Sequence, residues 1–277
     1  MAGSRGSKVP DRVHDRSAAF FDLDKTIIAK SSTMAFSKPF QAGGLISRRA
    51  VLRSTYAQFV YVLGGADHDQ IEKMRAFMST LVVGWDVATV REIVADTLHN
   101  VVDPLVFDEA VSLIEEHKAA GRDVVIVSTS GTEVVEPIGA MLGADIVVAS
   151  RLEVVDGKYT GEIEYYAYAE EKARAILELA ELRGYDLEEC FGYSDSVTDV
   201  PMLEVVGHAH AVNPDKELRS VAVAKGWPVL VFAKPVALRS RVPLPPAKQT
   251  IAVLAVGGAL AFGGVLWANA KKRRLGA

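Results

Sequence analysis

The sequence predicts an α/β fold: a parallel sheet covered by helices on both faces, with a helical insertion directly after the first strand. Three observations point there. Short apolar runs alternate with segments of helical period, the pattern of a buried parallel sheet. Polar residues cluster where those runs end, which is where open α/β sheets carry their chemistry. Residues 31–104 have helical periodicity and little strand pattern.

The elements follow in order. Residues 1–17 are polar and mixed in charge, with no apolar run that reads as a secretory signal, and are expected to be a disordered lead-in. Ala18, Ala19, Phe20 and Phe21 form the first buried strand, which ends at Asp22. Residues 31–104, with Leu52, Tyr56, Phe59, Val60 and Leu63 at helical spacing, are expected to be a cap inserted into a core of residues 18–30 and 105–238. Residues 123–127 make a second strand ending at Ser128, residues 146–148 a third, residues 190–193 a fourth and residues 208–212 a fifth. Helical patterns cover 105–120, 133–142, 170–183 and 200–205. Asp156-Gly157, flanked by apolar runs, signals a hairpin.

The C-terminal part is of another kind. Residues 239–250 form a linker with Pro243, Pro245 and Pro246, and residues 251–270 carry no charge. Twenty helical residues reach ~30 Å, the thickness of a hydrocarbon core. A basic tail, 271–277, closes the chain. The expectation is a transmembrane anchor on an enzyme whose catalytic part is cytoplasmic. Thirty-one basic against 35 acidic residues, net -4, exclude general nucleic-acid binding. A single cysteine, Cys190, excludes a disulfide framework within the chain.

Chemistry is carried by Asp22-Leu23-Asp24-Lys25-Thr26 at the end of the first strand. A phosphate monoester is a dianion and repels a carboxylate nucleophile unless a cation neutralises both, which a carboxylate-held Mg2+ does. Asp22 then suits attack on phosphorus, and Asp24 suits proton transfer to the leaving oxygen. Ser128, with Thr129, Ser130 and Gly131 beside it entering a helix, suits phosphoryl oxygens. Lys172 offsets charge on the pentavalent phosphorus. Asp195 completes the metal site, and Asp199 orients Lys172 or a metal-bound water. Each motif singly reads equally well as a helix cap or a surface residue; the four together do not.

The order of these motifs resembles the haloacid dehalogenase superfamily over about residues 18–232. The resemblance implies a Rossmann-like core with Asp22 as nucleophile and Asp24 as acid/base. It puts Ser128 and Lys172 in supporting catalytic roles, and Thr26, Ser128, Thr129 and Lys172 around the phosphate. It also implies Mg2+ held by Asp22, Asp195 and the Asp24 carbonyl, with Asp199 behind them. Dehalogenases lack the second Asp, so Asp24 implies phosphoryl chemistry. The cap and residues 226–230 look like the phosphoserine-phosphatase-like subfamily. Ser31, however, stands where that enzyme carries a Glu, and Ser194 where its fourth motif carries a Gly. With the apolar C-terminal segment, the expected substrate is a phospholipid or lysophospholipid phosphate. The alternatives are a soluble phosphometabolite such as phosphoserine, or a non-catalytic membrane-tethered binding module.

Overall fold

The computed structural model describes residues 16–46, 79–233 and 235, and its fold is built around β1 (Ala18–Phe21). Successive strand residues face opposite ways. Ala18 and Phe20 join one apolar cluster, Ala19 and Phe21 another. A strand with no polar face belongs in the middle of a sheet covered on both sides. β1 sits there, parallel to β2 (Asp123–Gly131) and to β5 (Phe191–Ser194). The seven-stranded sheet has the order β4-β3-β2-β1-β5-β6-β7, where β3 is Ile146–Val155, β4 Lys158–Tyr165, β6 His208–Val212 and β7 Val229–Leu230. Every pair is parallel except β3 with β4.

Two short helices, α1 (Ser32–Ala35) and α2 (Ser37–Ala42), follow β1. Then α3 (Val87–Val101), α4 (Asp108–Ala119) and α5 (Thr132–Leu142) bury Val94, Ile114 and Ile138 in one cluster with Phe21 and Ile126. On the other face α6 (Glu170–Arg183), α7 (Val200–Glu204) and α8 (Lys216–Lys225) bury Ile176, Leu203 and Leu218 with Phe20 and Val125. α6 ends at Gly184, whose φ of 72° is left-handed and which therefore suits a residue without Cβ.

The elements differ from the sequence expectation in instructive ways. β2 runs on past Val127 to Gly131, so its polar end is still strand. β3 does not stop at Val148. It leaves its parallel partner at Ser150 and continues into the antiparallel pair with β4, across a turn in which Asp156 and Gly157 have φ of 49° and 76°. Two positive φ values are what a tight two-residue hairpin requires. The apolar run stops early because the strand leaves the covered part of the sheet, while its backbone pairing continues. α8 buries only Leu218 and Ala222, and β7 has two residues, so neither carries a strong periodic signal.

The described part of residues 31–104 is helical and shares the core cluster through α3. Residues 84–87 are laced to the hairpin: the Val87 N–H donates to the Gly157 carbonyl at 2.9 Å and the Tyr159 N–H to the Trp85 carbonyl at 3.0 Å. Residues 1–15 of the expected lead-in, 47–78 of the expected cap, 234 and 236–238 of the expected core, and all of the expected linker, span and tail lie outside the described residues. No helix among the described residues is long and apolar enough to cross a membrane.

Aromatic rings pack on one flank of β1 and β5. Tyr193 stacks on Phe21 at 4.5 Å, His208 stacks on Phe191 at 4.5 Å, and His117 of α4 sits 4.8 Å from Phe191. His117 Nε2 lies 2.9 Å from the Tyr193 hydroxyl, and its Nδ1 is buried without a hydrogen-bond partner. Burial holds this imidazole down at about 4, helped by the Arg122 and His210 charges. Because the folded value lies below that of the unfolded chain, the His117 contribution is complete above pH 6.5 and is lost as pH falls toward 4. The stability gap between wild type and His117→Gln, read from urea denaturation at each pH, should therefore narrow by on the order of 3 kcal/mol across that window. A constant gap would show that His117 does not titrate there.

Candidate active site

The strand order places β1 between β2, which follows it in the chain, and β5, with which the chain returns to its other side after β3 and β4. Such a reversal opens a crevice beyond the carboxyl ends of the strands. Asp22 is the first residue past β1, and its N–H still donates to the Tyr193 carbonyl at 2.9 Å, so the ladder itself fixes its position. Ser128 lies in the polar end of β2, and Asp195 follows β5 directly. Asp22, Ser128 and Asp195 are all buried.

Lys172, in the first turn of α6, is 1 % exposed. Its Nζ donates to Asp22 Oδ1 at 2.7 Å and to Asp199 Oδ2 at 2.8 Å. Ser194 Oγ also donates to Asp199 Oδ2, at 2.6 Å. Burial by itself would lower the lysine, but Asp199 and Asp22 outweigh it and push it up, so the ammonium stays charged.

After Asp22 the chain turns tightly. Lys25 takes a left-handed φ of 63°, and the N–H groups of Ile27 and Ile28 both donate to the Leu23 carbonyl. That turn brings Asp24 against α1 and the end of β2. The Ser32 N–H donates to Asp24 Oδ1 at 2.8 Å, Ser130 Oγ donates to Asp24 Oδ2 at 3.1 Å, and Ser32 Oγ donates to Ser130 Oγ at 2.8 Å. Burial raises the Asp24 carboxyl, and the Ser32 and Ser130 donors oppose this. Ser130 was expected beside Ser128 among the hydroxyls suited to phosphoryl oxygens, and it lies two residues beyond Ser128 in the same strand, hence on the same face. Ser32 did not figure among the expected site residues.

The remaining expected residues divide. Thr26 is buried, and its hydroxyl has no hydrogen-bond partner. Thr129 donates its hydroxyl to the Ala167 carbonyl at 2.9 Å, so that group ties β2 to the approach to α6. Asp195 has Lys25 Nζ at 3.9 Å.

Burial pushes Asp22 up to about 8; Lys172 opposes this, and Asp199, Asp195 and Asp24 add to it. Burial likewise pushes Asp195 up to about 7 against the pull of Lys25. Asp22, Asp24, Asp195 and Asp199 thus surround one buried ammonium, leaving an excess of negative charge. Among the described residues no three His, Cys, Asp or Glu side chains converge on one point. The donors on hand are two buried carboxylates and main-chain carbonyls, hard oxygen ligands of the kind that holds Mg2+ when substrate phosphate and water complete its shell. The charge excess and the donor set both fit that ion.

A buried ammonium between two carboxylates is stable only as a set. Lys172→Met should destabilise the fold by about 3–5 kcal/mol, because two buried carboxylates lose their counter-charge. Adding Asp199→Asn should recover part of that loss in guanidinium denaturation; additive losses would mean that Lys172 and Asp199 are not coupled.

Comparison with known proteins agrees with this geometry. A profile of the haloacid dehalogenase-like hydrolases matches residues 19–204. A probable phosphatase of Mycobacterium tuberculosis is 60% identical over 91% of this chain and 88% of its own. The phosphoserine phosphatase SerB1 of the same organism is 32% identical over 88% of this chain and 79% of its own. A solved phospho-aspartyl intermediate analogue of phosphoserine phosphatase shares the fold, with TM-score 0.57 and 20% identity over 81% of this chain and 96% of that one. The chain belongs to the haloacid dehalogenase-like hydrolase family, and it is one of that family's phosphoric monoester hydrolases.

Proposed function

We propose that this chain hydrolyses phosphate monoesters through a phosphorylated Asp22, with Mg2+ as its cofactor. One observation carries the reading: Asp22 stands buried at the carboxyl end of the central strand, with Lys172 Nζ 2.7 Å from its Oδ1. That contact leaves Oδ2 to attack phosphorus. As the Asp22–phosphorus bond forms and the ester bond breaks, Asp24 gives its proton to the leaving oxygen. Its raised carboxyl supports that acid role. Asp24 then takes a proton from the water that attacks the aspartyl phosphate, which releases phosphate and restores Asp22. Lys172 offsets the charge that gathers on the phosphoryl oxygens, and Asp199 holds it in place. Ser128 and Thr26 belong to the phosphate-binding set. Asp22, Asp195 and the Asp24 carbonyl would hold magnesium, which when bound supplies charge neutralisation and polarises the phosphoryl group.

In the same reading, residues 31–104 cap a core of residues 18–30 and 105–238, and residues 251–270 tether the enzyme to a membrane with the catalytic part on the cytoplasmic side. The substrate is then a phospholipid- or lysophospholipid-derived phosphate. Phosphoserine is the second reading, supported by the name of the SerB1 relative.

Asp22→Asn should lower phosphate release from p-nitrophenyl phosphate by roughly a thousandfold or more while the melting temperature is kept. Retained turnover in that variant would sink the mechanism. Chelation with EDTA should stop turnover and added magnesium restore it; activity indifferent to EDTA would remove the metal from the scheme. Deleting residues 251–277 should slow release from lysophosphatidate in vesicles and leave p-nitrophenyl phosphate turnover unchanged. Equal rates on the vesicles would detach the terminal segment from substrate choice.

A further inference from the structure

A chamber of about 490 Å3 opens off the catalytic carboxylates, with Asp24, Ser130 and Ser196 at its inner end. This is the volume of a site for a drug-sized group, far more than a serine side chain needs. Phe40 and Trp85, with ring centres 5.6 Å apart, form part of its lining with Val90, Leu152, Tyr159 and Ile163. These side chains come from α2, the segment before α3, α3 itself and the β3–β4 hairpin, so the wall is assembled from three separate stretches of chain. It is held together by the backbone pairing of Trp85 with Tyr159.

The charges decide what fits. Among the described residues that line the chamber there is no Lys, Arg or His. Against these residues a carboxylate or second phosphate on the leaving group would be desolvated without a partner, which is costly. The lining carboxylates are Asp24 and Glu133. Glu133 is already committed: Arg91 Nη2 lies 3.4 Å from its Oε1. An ammonium group would have to displace that pair. Apolar surface meets no such obstacle and gains on entry.

We infer that the alcohol part of the substrate is uncharged and apolar, and that it seats in this chamber while the phosphate meets Asp22. The inference rests on the phosphomonoesterase reading above and narrows it. Both an acyl chain and an aryl group have this chemistry.

The test uses the full-length protein with magnesium. It measures kcat/KM for butyl, hexyl, octyl and decyl phosphate below their micellar concentrations, and for naphthyl phosphate, phosphoserine and p-nitrophenyl phosphate. The alkyl series should climb by about fourfold per added methylene until the chamber is full. Its best member should exceed phosphoserine by roughly a hundredfold or more. Decyl over naphthyl phosphate assigns the chamber to an acyl chain, and the reverse assigns it to an aromatic alcohol. Trp85→Ser should flatten the series while its circular-dichroism spectrum matches that of the wild type; if that variant does not fold, Leu152→Ser takes its place. A flat wild-type series, a preference for phosphoserine, or an unchanged slope in the folded variants overturns the inference and leaves the phosphatase standing. No release from any ester, p-nitrophenyl phosphate included, overturns the phosphatase reading and this one with it.

Discussion

The Lys172 ammonium, closed off from water and shared between Asp22 and Asp199, sets the terms for the rest of the molecule. A charge so buried must be paired at hydrogen-bond distance, and its partners must be held still. The three residues come from the end of β1, the first turn of α6 and the turn after β5, and they meet only because the sheet brings β5 beside β1. Further contacts serve the same end. Ser194 fixes the Asp199 carboxylate, and the Asp215 side chain accepts the Val197 and Leu218 N–H groups, so the Asp195 loop is pinned to the start of α8. Alternating apolar residues in β1 bury both faces of the strand, which leaves the polar strand ends as the place where the chain meets solvent and ligand.

One buried ammonium, with the exposed Lys25 3.9 Å from Asp195, does not balance four carboxylates. Burial chiefly, and the neighbouring carboxylates after it, raise Asp22 and Asp195, and a divalent cation relieves the crowded charge more completely than a proton does. Asp24 answers to different partners. Its two oxygens are held from opposite directions, by the first residue of α1 and by the end of β2. The inserted stretch thus touches the chemistry at its first helical residue, and through Phe40, Trp85 and Val90 it also walls the space where a leaving group would lie.

The candidate site was legible in part. Asp22, Asp24, Ser128, Lys172, Asp195 and Asp199 stand out in the sequence because each falls where an apolar run ends or a helix begins, and such positions are exposed to chemistry whatever the packing. The structure brings Asp22, Lys172 and Asp199 into direct contact. Ser32 was not legible, since nothing local joins it to Ser130, 98 positions further on. Thr129 shows the opposite case. It neighbours Ser128 in the chain and lines the chamber beside the site, and its hydroxyl is tied to the Ala167 carbonyl.

The sequence by itself determined the class of fold, the alternation that buries β1 on both faces and the order of the polar strand ends, because period and punctuation are local properties that tertiary contacts rarely reverse. It also placed the Asp156-Gly157 turn, where only residues tolerant of positive φ serve. Tertiary structure alone decided which carboxylates share the buried ammonium, which hydroxyls reach Asp24, how far β3 continues beyond its apolar run, and that the described wall of the chamber beside the site is built largely of apolar and aromatic side chains. Those are contacts between residues far apart in the chain, and their geometry exists only once the sheet has closed around β1.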